Sequence, residues 1–147
     1  MSTIHEMLRR VKSIDLQAIG VAIIVDSKPE LLQLNKDQLM NDGVDKNSKK
    51  LKSYASNSYA VRKNRMNPFP GLGTPDLYLT GGFQNSFTLK INSKSSFEIF
   101  STNGKSNDLT KKYGKNIFGL TENSKTEYQR EVMAPELIKG VRKVMRL

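Results

Sequence analysis

Seven basic side chains (Lys46, Lys49, Lys50, Lys52, Arg62, Lys63 and Arg65) fall between Lys46 and Pro75 with no acid before Asp76, and Tyr54 and Tyr59 lie among them. Ammonium and guanidinium groups neutralise phosphates and aromatic rings stack on bases, so this pattern suits a nucleic-acid backbone. It equally suits an acidic face on a neighbouring protein, or a solvated loop; the residue types leave all three open. The other candidates are weaker. His5 is the only histidine, with no second one to complete a metal pair, and reads as a surface or interface residue. Asp42 and Asp45 flank Gly43 without the spacing of a calcium loop or its closing glutamate. Gly104-Lys105-Ser106 matches the end of a phosphate-binding loop, but Ile99 stands where that loop needs glycine, so a hairpin turn is the better reading. Gly71-Leu-Gly73, between Pro70 and Pro75, reads as loop flexibility. Asp76 is a solitary carboxylate expected to cap or orient the turn before Tyr78.

The chain has no cysteine, which excludes disulfides, thiolate zinc sites and thiol catalysis. With one histidine and no paired carboxylates, a non-enzymatic protein without cofactor or metal is expected. A net charge of +10, from 24 Lys and Arg against 14 Asp and Glu, favours an acidic partner. The apolar run Ile19 to Val25, interrupted only by Gly20, is too short to span a bilayer. Glu6 and the lack of an apolar stretch before Arg9-Arg10 argue against a signal peptide. No membrane partner is expected.

These residues need elements to position them, and 147 residues suggest a single domain, 1–147. Thr3-Ile-His-Glu6 is a capping-box pattern, followed by Ile4, Met7, Leu8 and Val11 at helical spacing. A helix from Thr3 to Val25 is expected, loosened at Gly20, with a strand over Ile19 to Val25 as the competing reading. Pro29 opens a second helix with an apolar face of Leu31, Leu32, Leu34, Leu39 and Met40, ended by Asn41-Asp-Gly43. These N-terminal helices fill 1–42. Residues 43–76 lack sustained periodicity and hold three of the five prolines, so they read as a long extended loop or arm and a candidate contact surface.

Residues 77–147 read as a small antiparallel sheet and a C-terminal helix packed on it. Phe87, Leu89 and Ile91 alternate with polar residues, as do Phe97 and Ile99, around a turn at Asn92 to Ser95. Asn103-Gly104 is a second turn, and Asn107 to Tyr113 a short helix closed by Gly114. Ser124-x-x-Glu127 resembles a capping box for the last helix, lined by Tyr128, Val132, Met133, Leu137, Val141 and Met145 and kinked at Pro135. Tyr78, Phe83, Phe87, Phe97, Phe100 and Phe118 are expected mostly in the core, with Phe100 or Phe118 at an interface. The class is α+β.

Two motifs carry a resemblance: Leu79, Thr80, Gly81 and Ser86 in a turn leading to the hairpin, and Phe118, Gly119, Leu120 and Thr121 before the final helix. Their order over residues 29–147 resembles the tail-completion, or neck, proteins of tailed bacteriophages, although Gly82 doubles the glycine of the turn. The stretch Lys52 to Lys63 is similar to a basic Tyr-Ala segment in related phage structural proteins. The resemblance implies a virion protein forming a ring at the head-to-tail junction, assembled in the host bacterial cytoplasm. Its implied partners are copies of itself, neighbouring portal, adaptor or tail proteins, and DNA in the channel. From the charge alone, a small basic nucleic-acid-binding module is the alternative.

Overall fold

The computed structural model describes residues 3–93 and 96–146. Helix α1 (Ile4–Lys12) starts at the expected capping box. The Thr3 hydroxyl accepts the Glu6 N–H at 3.2 Å, and the Glu6 carboxylate accepts the Thr3 N–H at 3.0 Å. The expected single helix to Val25 is two helices. Ser13 closes α1 by donating its hydroxyl to the Arg10 carbonyl, and Asp15 caps α2 (Leu16–Asp26) by accepting the Ala18 N–H at 3.0 Å. The break therefore falls at two residues that bond their own backbone rather than at Gly20. The apolar block Ile19 to Val25 is helical.

Helix α3 (Lys28–Asp37) carries Pro29 in its first turn and runs into a π-turn, Gln38–Asp42, closed by Gly43 in the left-handed conformation at φ +60°. A Cβ at Gly43 would collide with the Thr74 methyl and stand 3.0 Å from the Pro75 carbonyl. Glycine here lets the chain return across its own helix end.

Segment 43–76 is more ordered than its composition suggests. It contains a ten-residue helix, α4 (Asn57–Met66), capped by Ser56 through the Tyr59 N–H. Only Ala60 and Lys63 of α4 are buried, so the helix lacks the apolar stripe by which a sequence announces one.

After the short turn α5 (Gly82–Asn85), strands β1 (Phe87–Ser93) and β2 (Ser96–Ser101) pair antiparallel, with Leu89 opposite Ile99 and Ile91 opposite Phe97. Strand β1 extends into the expected turn through Asn92 and Ser93, and the remaining residues, Lys94 and Ser95, lie outside the described ones. Helix α6 (Ser106–Tyr113) ends at Gly114 as expected. Helix α7 (Glu122–Tyr128) is capped by Thr121, which accepts the Ser124 N–H at 3.2 Å. The cap thus lies three residues before the expected Ser124. A π-turn, Gln129–Met133, joins α7 to α8 (Ala134–Met145), with Pro135 in the first turn of α8. The wider turn accommodates the proline without ending the helical run.

The architecture is α+β. Leu31, Leu39 and Ile117 are fully buried at its centre, joined by Ile24, Leu51, Phe83, Phe87, Ile99, Leu120 and Tyr128. Helix α3 packs on β1, while α8 lies along α1 and α2, where the Arg10 guanidinium donates to the Met145 carbonyl at 3.2 Å.

Candidate functional site

The basic segment is organised around one side chain that does not face outward. Lys63 is 5% exposed, and its ammonium lies 2.9 Å from the Asp76 carboxylate, itself in a residue 2% exposed. Lys63 also donates to the Tyr78 carbonyl. Asp76 accepts from Asn67 at 3.1 Å and from the Tyr78 N–H at 3.0 Å, so both charges are paired and hydrogen-bonded. The expectation that Lys63 meets DNA or a neighbour is therefore corrected: it fastens α4 to the turn that follows. Asp76 orients that turn as expected, but it is not solitary. It holds Leu77 at φ +56°, a conformation a leucine rarely adopts.

The segment is pinned elsewhere too. Lys50 donates to the carbonyls of Asp42 (2.7 Å) and Pro70 (3.2 Å), the Tyr54 N–H to Gly73 (3.0 Å), and Asn67 to Met40 (2.7 Å). Lys50 thus acts as a tie, although it is exposed. Lys46, Lys49, Lys52, Arg62 and Arg65 stand at the surface, and these remain from the predicted set as side chains able to meet a partner.

The motif residues divide in two. Gly119 sits at φ +123° with the Lys46 side chain 3.0 Å from where a Cβ would lie. Its N–H donates to Asn35 (2.9 Å) and its carbonyl accepts from Gln38 (2.7 Å); Gln38 also accepts the Thr121 N–H (3.1 Å). Asn35 further donates to the Ile117 carbonyl at 3.0 Å. Leu120 is buried, and Phe118 packs against Phe83 and Phe87 at ring separations of 5.9 and 5.4 Å. Phe118 to Thr121 are thus a structural joint clamped by two amides, and of the two aromatics offered for an interface, Phe100 is the exposed one.

In the turn motif, Leu79 and Thr80 are exposed, Gly81 lies at φ +88° under the Tyr78 ring, and Ser86 donates to the Phe83 carbonyl at 2.7 Å. Gly82 has only ordinary contacts around a Cβ. Tyr78 was expected in the core but is exposed.

The pinned segment holds large apolar side chains in solvent: Phe69 is 75% exposed and Leu72 66%, with Met66 also exposed, as is Leu79 in the turn that follows. A second exposed apolar set, Ile4, Leu8, Val11 and Leu16, lies on α1 and the start of α2.

Between α4, the motif turn and α6 lies a cleft of about 520 Å³ lined by Tyr54, Tyr59, Tyr78 and Tyr113, with the Lys63–Asp76 pair also in its wall and Lys105 and Lys112 contributed by α6 and the turn before it. Tyr54 and Tyr59 meet edge to face at 5.0 Å. Burial, with the Asp76 charge adding to it, pushes the Tyr54 hydroxyl well above its ordinary value, although a hydrogen bond from the Asp76 backbone pulls the other way. Sequence reasoning missed Tyr113 and Lys112, and set Lys105 aside as part of a hairpin turn. The signal for Lys112 was a basic last turn on a short helix, but which surface that turn adjoins depends on the long-range path of the chain.

Among the described residues no helix is long and apolar enough to cross a membrane, and no group of three or more His, Asp or Glu could hold a metal ion. No protein-family model, curated protein or solved structure matches the chain.

Proposed function

We propose that the chain is a non-enzymatic structural subunit of a ring at the head-to-tail junction of a tailed bacteriophage, linking portal and tail around the DNA channel of the virion. The observation that carries this reading is the solvent-held pair Phe69 and Leu72 on a loop that is already fastened. Exposed apolar groups on an ordered loop favour a partner that buries them, and their order limits the entropy lost on docking. The α1 patch supplies a second, different surface. A head-to-tail contact joins unlike patches, and such contacts close into rings when the rotation permits. The order of the Leu79-Thr-Gly and Phe118-Gly-Leu-Thr motifs supports the phage assignment, and exposed Arg62 and Arg65 suit DNA or an acidic neighbouring ring.

Sedimentation of the purified chain tests the association. A closed oligomer of fixed stoichiometry is expected, reduced to monomer by Phe69→Asp with Leu72→Asp while the thermal melt stays unchanged. A chain that remains monomeric up to crystallisation concentrations, or one whose oligomer survives both aspartates, overturns the reading.

A further inference from the structure

We infer that the tyrosine cleft is a binding site for a nucleoside phosphate, presented either as a free nucleotide or as an unpaired nucleotide of a single strand. This goes beyond the ring assignment and holds whether or not the chain self-associates.

Charge comes first. Four titratable side chains with a fixed charge line the cleft, and Lys63 and Asp76 neutralise each other in its wall. Lys105 and Lys112 remain. Neither ammonium has a carboxylate within salt-bridge distance among the described residues; Asp108, between them on α6, bridges neither. The cleft therefore has two uncompensated positive charges, and its complement is an anion.

Shape and surface come second. Four of the chain's five tyrosines line this one cleft. Its volume of about 520 Å³ lies within the range of small-ligand sites, roughly 300–1,000 Å³. Aromatic walls stack on planar rings, and a tyrosine gives such a wall a hydroxyl for hydrogen bonding. A carboxylate-bearing peptide would satisfy the lysines but would leave this aromatic lining unexplained. A heterocycle joined to a phosphate uses both.

Continuity comes third. Lys112 and Tyr113 also border a neighbouring groove lined by Lys49 and Lys52, with the tied Lys50 in its wall. Its one carboxylate, Asp45, is already occupied, accepting the N–H groups of Asn47 (2.9 Å) and Lys49 (3.1 Å). A base seated among the tyrosines would thus have lysines along the path of the adjoining phosphates, the arrangement by which single strands are held without sequence readout.

The test is fluorescence anisotropy of the whole chain with a labelled thymidine oligonucleotide, competed by the same strand unlabelled, its duplex, adenosine monophosphate and inorganic phosphate. Saturable single-strand binding is expected, weakened about tenfold by Tyr59→Ala, retained by Tyr59→Phe, and with a salt slope reduced by about one in Lys112→Ala. Competition by adenosine monophosphate assigns the site to free nucleotides; competition by the strand alone assigns it to single strands. No saturable binding of strand or mononucleotide overturns the inference. So does a duplex that competes as well as the strand together with indifference to Tyr59→Ala, which would mark plain surface electrostatics. Lys112 is exposed, so its variant keeps the test valid if Tyr59→Ala fails to fold.

Discussion

Lys63 shows how far a side chain's role depends on what the chain brings to it. Asp76 is the only acid between Asp45 and Glu98, and it is held against Lys63 in a place both charges reach only when folded. Removing one partner would leave the other buried and unpaired, so Lys63→Met should cost about 3–5 kcal/mol. Urea denaturation checks this, and Lys63→Met with Asp76→Asn should cost much less than the sum of the two single changes. Additive losses would mean that the two groups do not interact. The tyrosines give a pH prediction. Burial raises the pKa of both Tyr54 and Tyr128, the latter despite a 2.7 Å hydrogen bond with Ser27. Below the unfolded value of about 10 both states are protonated. Above it the unfolded chain loses protons first, so stability falls as pH rises from about 10 towards the raised folded values. Denaturation midpoints should drop over that window, and Tyr54→Phe should flatten the fall. An unchanged slope in that variant would assign the alkaline limb to other groups.

The elements differ in how openly their residues declare them. Capping at Thr3, the stop at Gly43, the alternation of Phe87, Leu89 and Ile91, and the closure of α6 at Gly114 are local signals and could be read directly. Helix α4 could not, because its burial rests on Ala60 and a lysine whose partner lies thirteen positions on. The joint at Phe118 to Thr121 was visible as a motif, but its purpose was hidden, since Asn35 and Gln38 are some eighty residues away in sequence. Its glycine gives a sharp contrast: Gly119→Ala should destabilise by about 1–3 kcal/mol, because a side chain at φ +123° is strained and also meets Lys46. Gly82→Ala, with only ordinary van der Waals contacts around a Cβ and an ordinary helical position, should be near neutral. Comparing their thermal melts checks both. Hydrogen exchange tests the fastening of segment 43–76: the N–H groups of Leu51 and Tyr54, bonded to the Gly43 and Gly73 carbonyls at 3.0 Å each, should be protected in the isolated chain. Exchange there at the rate of an unstructured peptide would mean that the segment orders only on assembly.

At the scale of the whole molecule, the fold divides a run of basic residues into ties and free surface charges. Lys50 and Lys63 are ties; Arg62 and Arg65 stand exposed, where the proposed ring would use them. Reversing the charge of this exposed pair, Arg62→Glu with Arg65→Glu, should leave the melting temperature within a degree or two, since exposed charges contribute little to stability. It should nevertheless abolish particle assembly or DNA retention, scored by electron microscopy and encapsidated DNA. Normal filled particles from that variant would refute a role for this face. The gathering of Tyr54, Tyr59, Tyr78 and Tyr113 around one cleft has a separate, optical consequence. With no tryptophan in the chain and Tyr128 the only tyrosine elsewhere, the intrinsic ultraviolet emission comes chiefly from this region. The protein therefore carries a built-in chromophore cluster that reports events at the cleft without a dye or an engineered label.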